Sequence, residues 1–127
     1  MFNCTKAFSS FSVNDFNNAK EFYSKTLGLN VSDVPEMEGL LNINLDNNKK
    51  VMVYSKTDHT PATFTVLNFP VKNVEEAVNE LTGKGVKFEQ YGGNIQTNEK
   101  GIFRSGDFAI AWFKDPAGNI LSVLEDN

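Results

Sequence analysis

The sequence predicts an α+β fold of two β-α-β-β-β modules, and three observations lead there. The stretch Phe11-Ser12-Val13-Asn14-Asp15-Phe16, with Ala19 after it, returns as Phe69-Pro70-Val71-Lys72-Asn73-Val74 with Ala77. Each copy runs apolar, any, apolar, any, Asp or Asn, apolar, the order that carries a strand into a helix through a capping residue. Leu27-Gly28-Leu29-Asn30-Val31 then answers to Lys84-Gly85-Val86-Lys87-Phe88 after a one-residue deletion, each a glycine stop followed by a strand. Finally, Asp46-Asn47-Asn48 before Val51-Met52-Val53 matches Asp115-Pro116-Ala117-Gly118 before Ile120-Leu121-Ser122. We therefore expect a single domain over 1–127, with module one at about 5–56, a linker at 57–61 and module two at about 62–126. Its curved mixed sheet is expected to surround a shared cavity, with the helices on the outer face.

Each element follows from its residues. A first strand is predicted over 6–13. The first helix spans Phe16 to Thr26, with Phe16, Ala19, Tyr23 and Leu27 on one face, Asn14 and Asp15 at its start and Gly28 at its end. Strands follow at 29–34, 38–45 and 50–55, then at 63–71. The second helix, Val74 to Lys84, repeats the design with Val74, Ala77, Val78 and Leu81, and Asn73 with Glu76 has capping-box spacing. Further strands are predicted at 86–91, at 101–113 with an interruption at Ser105-Gly106-Asp107, and at 119–125. Asp115-Pro116-Ala117-Gly118 is a tight turn, in which Pro sets φ and Gly takes the left-handed position. Residues 90–100 mix turn formers with polar residues and are expected to form a mobile loop.

Composition narrows the function classes. An apolar content of 40% with eleven Phe supports a core, and no apolar run approaches the roughly 18 residues of a membrane span. A net charge of -4 without a basic cluster argues against a nucleic-acid partner. Cys4 is the only cysteine, and no signal-peptide pattern precedes it, so the expected compartment is the cytoplasm. A small organic molecule is the expected partner.

Strand alternation separates the residues under the helices from those facing the cavity. With Phe11 and Val13 under helix one, Phe8, Ser10 and Ser12 turn away. With Leu67, Phe69 and Val71 under helix two, Val66 and Asn68 do the same. A hairpin with a glycine bulge at Gly118 pairs Trp112 with Ser122 and faces Ile110, Trp112, Ile120, Ser122 and Leu124 inward. Trp112 is then the large aromatic surface for a ligand. Arg104 is expected at the cavity rim, where it could grip a carboxylate or phosphate, and Tyr91 with the glycines after it is expected to belong to a lid. Ser9, Ser10 and Ser12 read as strand serines, since no His is placed to activate a nucleophile and no nucleophile-elbow glycines flank them, and His59 reads as a solvated linker residue.

The arrangement resembles the vicinal oxygen chelate superfamily, the group of glyoxalases, bleomycin-resistance proteins and extradiol dioxygenases. The resemblance rests on Phe11-Ser-Val-Asn-Asp15, Ala19-Lys-Glu-Phe-Tyr23, Leu27-Gly28-Leu29 and Ala111-Trp-Phe-Lys-Asp-Pro-Ala-Gly-Asn119, and it covers nearly the whole chain. It implies a homodimer and, in metal-dependent members, His or Glu ligands on the first and last strands of each module. The corresponding positions here are Phe8, Val53, Val66 and Ser122, none of them a carboxylate or an imidazole. The sequence is therefore read as a metal-independent small-molecule-binding protein without a cofactor. Its ligand-binding residues are expected to be Phe8, Ser10, Val53, Val66, Asn68, Arg104, Trp112 and Ser122, and no catalytic residue is assigned. The alternative is a divalent-metal-dependent lyase, isomerase or dioxygenase of the same superfamily.

Overall fold

Asp15 and Asn73 start the two helices as their side chains predict. In a computed structural model that describes residues 2–125, the Asp15 carboxylate accepts from Asn18 N at 3.0 Å, and Asn73 Oδ1 accepts from Glu76 N at 2.9 Å. Residue 126, the expected end of module two, lies outside the described residues. The chain divides between Thr60 and Pro61 into two compact units.

In module one, β1 (Ser9–Val13) leads into α1 (Phe16–Glu21), followed by β2 (Asn30–Asp33), β3 (Leu40–Asn44) and β4 (Lys50–Ser55). The sheet order is β1-β4-β3-β2, with β1 parallel to β4 and the other pairs antiparallel. Phe11, Val13, Leu41, Ile43, Val51 and Val53 form a buried face against Ala19 and Tyr23. The Phe11 and Tyr23 rings meet at 6.0 Å. Helix one does not stay α-helical to Thr26, because Phe22–Thr26 widens into a π-helical turn closed by Leu27 N donating to Phe22 O at 2.9 Å. Such a turn accommodates one extra residue. It absorbs the single residue by which the first helix exceeds the second before its glycine stop.

Module two repeats the topology. It comprises β5 (Thr65–Val71), α2 (Val74–Gly83), β6 (Ile102–Ser105), β7 (Phe108–Lys114) and β8 (Ile120–Glu125), in the order β5-β8-β7-β6 with β5 parallel to β8. Leu121, Val123, Ala109, Ala111 and Phe113 are buried on one face, together with Val74, Val78 and Leu81 of α2. Glu125, on that same face, accepts from Val74 N at 2.8 Å and ties the start of the helix to the end of β8.

The strand expected over 86–91 does not form. Phe88 makes one bridge to Phe113, and Glu89 N donates to Trp112 O at 2.8 Å. This segment occupies the edge of β7 beyond β6, and both cannot pair with the same stretch. Gly101 marks the boundary, with φ +84° and space so tight that a Cβ would lie 2.8 Å from Phe88 Cβ. The 90–100 loop, expected to be mobile, is closed by hydrogen bonds of Thr97, whose N donates to Tyr91 O and whose Oγ1 accepts from Tyr91 N, each at 2.9 Å.

The β7–β8 connection agrees with the sequence reading. Asp115 is buried, and its carboxylate accepts from Ala117 N and Asn119 N at 2.9 Å and from Asn119 Nδ2 at 3.0 Å. Gly118 has φ +87°, and a Cβ there would lie 3.2 Å from Pro61 Cγ. The turn sets Lys114 opposite Ile120 and Trp112 opposite Ser122. Asp115→Ala should lower unfolding free energy in urea by about 3 kcal/mol, because it leaves buried N–H donors without their charged acceptor. Asp115→Asn, which keeps one acceptor oxygen, should cost less.

Candidate functional site

Strand pairing assigns every predicted site residue to a face. In module two, Asn68 and Ser122 are partners, as are Ser122 and Trp112, so these three side chains share the face opposite α2. Ser122 is fully buried and donates to Asn68 Oδ1 at 2.6 Å. Val66 sits at a register shift between Thr65 and Leu67, where β5 carries one residue more than β8. Arg104 is paired with Ala109 and therefore shares the helix-side face, where it is exposed. It is not at a rim beside Trp112. Phe103, one residue earlier, pairs with Ile110 on the Trp112 face.

In module one, Ser10 pairs with Met52 on the helix-free face, whereas Val53 pairs with Phe11 and is buried on the helix side. The expectation that Val53 would line a ligand site is corrected. Asp46 resembles Asp115 but does not occupy its place in the turn. Leu45 N donates to Lys49 O as Asp115 N donates to Asn119 O, so Leu45 is the counterpart of Asp115 and Met52 the counterpart of Ser122. A shift of one residue exchanges the two faces. Phe8 precedes β1, is half exposed and lies under the Lys50 ammonium, 4.6 Å from the ring centroid.

His59 is also corrected. It is half-buried, and its Nδ1 lies 2.6 Å from Ser12 Oγ. With His59 N donating to Lys56 O and Lys56 N to Val13 O, the contact fastens the start of the linker to β1. Forty-seven residues separate the pair, so only the folding of the linker back onto the strand reveals it.

A cleft of about 590 Å³ lies wholly within the second unit, and Trp112 is part of its lining. Tyr91 meets Trp112 edge to face, with ring centroids 5.3 Å apart and planes at 73°. Phe64, Ile95 and Ile120 add apolar wall, and Glu89 and Lys114 add the only charges in the lining. The two charged groups approach to 3.6 Å at the surface. Burial, and then the nearby Glu89 charge, push the Tyr91 phenol above its ordinary value. Trp112 is the one predicted site residue that lines this cleft. Phe64, Glu89 and Lys114 were missed, although the alternation that exposes Trp112 also exposes Lys114.

The positions that would hold a metal in the resembling family do not fit one. Phe8, Val66 and Ser122 offer two hydrocarbons and a hydroxyl already bonded to Asn68, and Met52, the true counterpart of Ser122, offers a thioether. Among the described residues no three His, Cys, Asp or Glu side chains come together as a metal-binding group.

The profile described as Glyoxalase/Bleomycin resistance protein/Dioxygenase superfamily matches residues 7–123. The chain belongs to that superfamily. Among solved structures it is similar to UcmS2, at 17% identity over 98% of this chain and 100% of that one, with a TM-score of 0.74. A superfamily member from Sphaerobacter thermophilus DSM 20745 is 21% identical over 94% of this chain and 97% of that one, with a TM-score of 0.66. Oxidase ChaP-H2 is 18% identical over 98% and 96% of the two chains, with a TM-score of 0.62. At these identities the likeness establishes the shared fold, and the superfamily spans several activities. No curated protein matches the sequence.

Because its pKa is raised, Tyr91 holds its proton in the folded chain where the unfolded chain has lost it. The stability contributed by the neutral phenol is fully present below the ordinary value of 10.0 and is lost as pH rises above it. Absorbance titration at 295 nm of wild type against Tyr91→Phe should show a phenol that ionises above the ordinary value of 10.0 disappearing. Glu89→Gln should move that transition part of the way back, since burial remains.

Proposed function

We propose that this superfamily member binds a small organic molecule in the module-two cleft and needs no metal to do so. The observation that carries the reading is Trp112, held edge to face with Tyr91 inside a largely apolar cleft. Apolar walls with few polar groups favour capture of a ligand by desolvation and stacking. The donor set at the family's metal positions supports the same reading, because it lacks the imidazoles and carboxylates that a divalent ion requires. The reading takes the protein to act as a homodimer in the cytoplasm, and light scattering on a sizing column tests the assembly.

Trp112 is the only tryptophan, so its fluorescence reports on the cleft directly. A panel of antibiotics, aromatic acids and thiol conjugates should yield a ligand that shifts Trp112 emission and raises the melting temperature. Trp112→Ala should weaken that ligand by about 2 kcal/mol, roughly thirty-fold, while the variant stays folded by circular dichroism. Elemental analysis after expression with Zn, Ni, Mn or Fe should find no stoichiometric ion. A tightly held one-to-one metal would overturn the reading in favour of a metal-dependent lyase, isomerase or dioxygenase.

A further inference from the structure

Resting on that reading of the cleft, we infer that its ligand is an organic cation, of the quaternary or tertiary ammonium class. The first observation is the angle between the two principal aromatic walls. Trp112 and Tyr91 stand at 73°, with centroids 5.3 Å apart, and so form a corner. A flat aromatic ligand stacks between parallel walls and can lie face-on to only one side of a corner. A compact alkylammonium group is nearly spherical and can touch both, and the electron-rich faces of Trp and Tyr attract it. Phe64, with two thirds of its surface exposed in the same lining, supplies a third ring.

The second observation is how the two charges of the lining are held. Glu89 stands beside the corner: its backbone N donates to Trp112 O at 2.8 Å, which anchors its main chain there, and 27% of its side chain is exposed. Lys114 reaches the same carboxylate at 3.6 Å with 48% of its side chain exposed. An exposed pair of this length is worth little, and the long lysine stem is free to turn into solvent. An entering cation therefore displaces Lys114 and keeps Glu89, whereas an entering anion would meet the Glu89 carboxylate within an aromatic lining. The Glu89 field already reaches the corner, where it contributes to the raised pKa of Tyr91. The net charge of -4 favours the approach of a cation over longer range.

The test compares choline with 3,3-dimethylbutan-1-ol, which replaces the quaternary nitrogen with carbon at nearly unchanged shape, by titrating the Trp112 indole resonance at low salt. Choline should bind at least about five-fold tighter than the alcohol. Glu89→Gln should bring the two affinities close together, and Lys114→Gln should tighten choline by removing the resident competitor. Equal affinities in the wild type, or a choline preference untouched by Glu89→Gln, would overturn the cation assignment and leave the cleft as the binding site. Binding of neither compound would also overturn the cation assignment. The broader panel, read by Trp112 fluorescence, decides separately whether the cleft binds anything.

Discussion

The register of the β7–β8 hairpin is the constraint on which the rest of module two depends. It is set by one buried carboxylate, Asp115, which holds three N–H donors of the turn and so fixes where the returning strand begins. From that point alternation decides everything. Ala109, Ala111, Phe113, Leu121 and Val123 go to the helix, while Trp112, Lys114 and Ile120 go to the cleft. The small side chains of Ala109 and Ala111 allow α2 to pack closely, and large residues on the opposite face are left to build a binding surface. A slip of one position would bury Lys114 and expose Phe113, so the turn specifies function as directly as it specifies fold.

The two modules show how one topology carries two different surfaces. Their strand orders are the same, and the same backbone hydrogen bond closes the turn before the last strand of each. Matched through those turns, Asn42 of module one stands where module two has Trp112, and Met52 stands where it has Ser122. The helix-free face of module one is accordingly rich in Ser and Asn, with Asn44 Nδ2 bridging Asn30 and Ser32. That of module two is aromatic and aliphatic. Where metal-dependent members of the superfamily place ligands, this chain has the Ser122–Asn68 hydrogen bond, the Met52 thioether and hydrocarbon.

Much of this was legible in the residues. The repeated strand-to-helix phrase, the Asp15 and Asn73 caps, the glycine stops and the Trp112–Ser122 pairing all rest on local rules that the structure obeys. Other features required tertiary information. Counting from Asp46 puts Val53 on the wrong face, because Asp46 looks like Asp115 while sitting one position later in its turn. The Ser105–Asp107 interruption suggests a rim beside Arg104, whereas its pairing with Ala109 sends it to the helix side. The 86–91 segment has the apolar alternation of a strand, but β7 offers only one edge and β6 takes most of it. His59 looked solvated because no local rule brings a linker imidazole back to Ser12. The cleft itself is assembled from segments near residues 64, 89, 91 and 112, a juxtaposition that no periodicity encodes.

The central claim is that Trp112 faces the cleft and not the helix. Nuclear Overhauser contacts from its indole protons test this most directly, since they report which side chains lie within about 5 Å whatever the ligand turns out to be. The account predicts contacts to the Tyr91 ring and the Ile120 methyl groups. Contacts to the methyl groups of Val78 or Leu81 would contradict it, because they would place Trp112 beneath α2 and reverse both faces of the sheet.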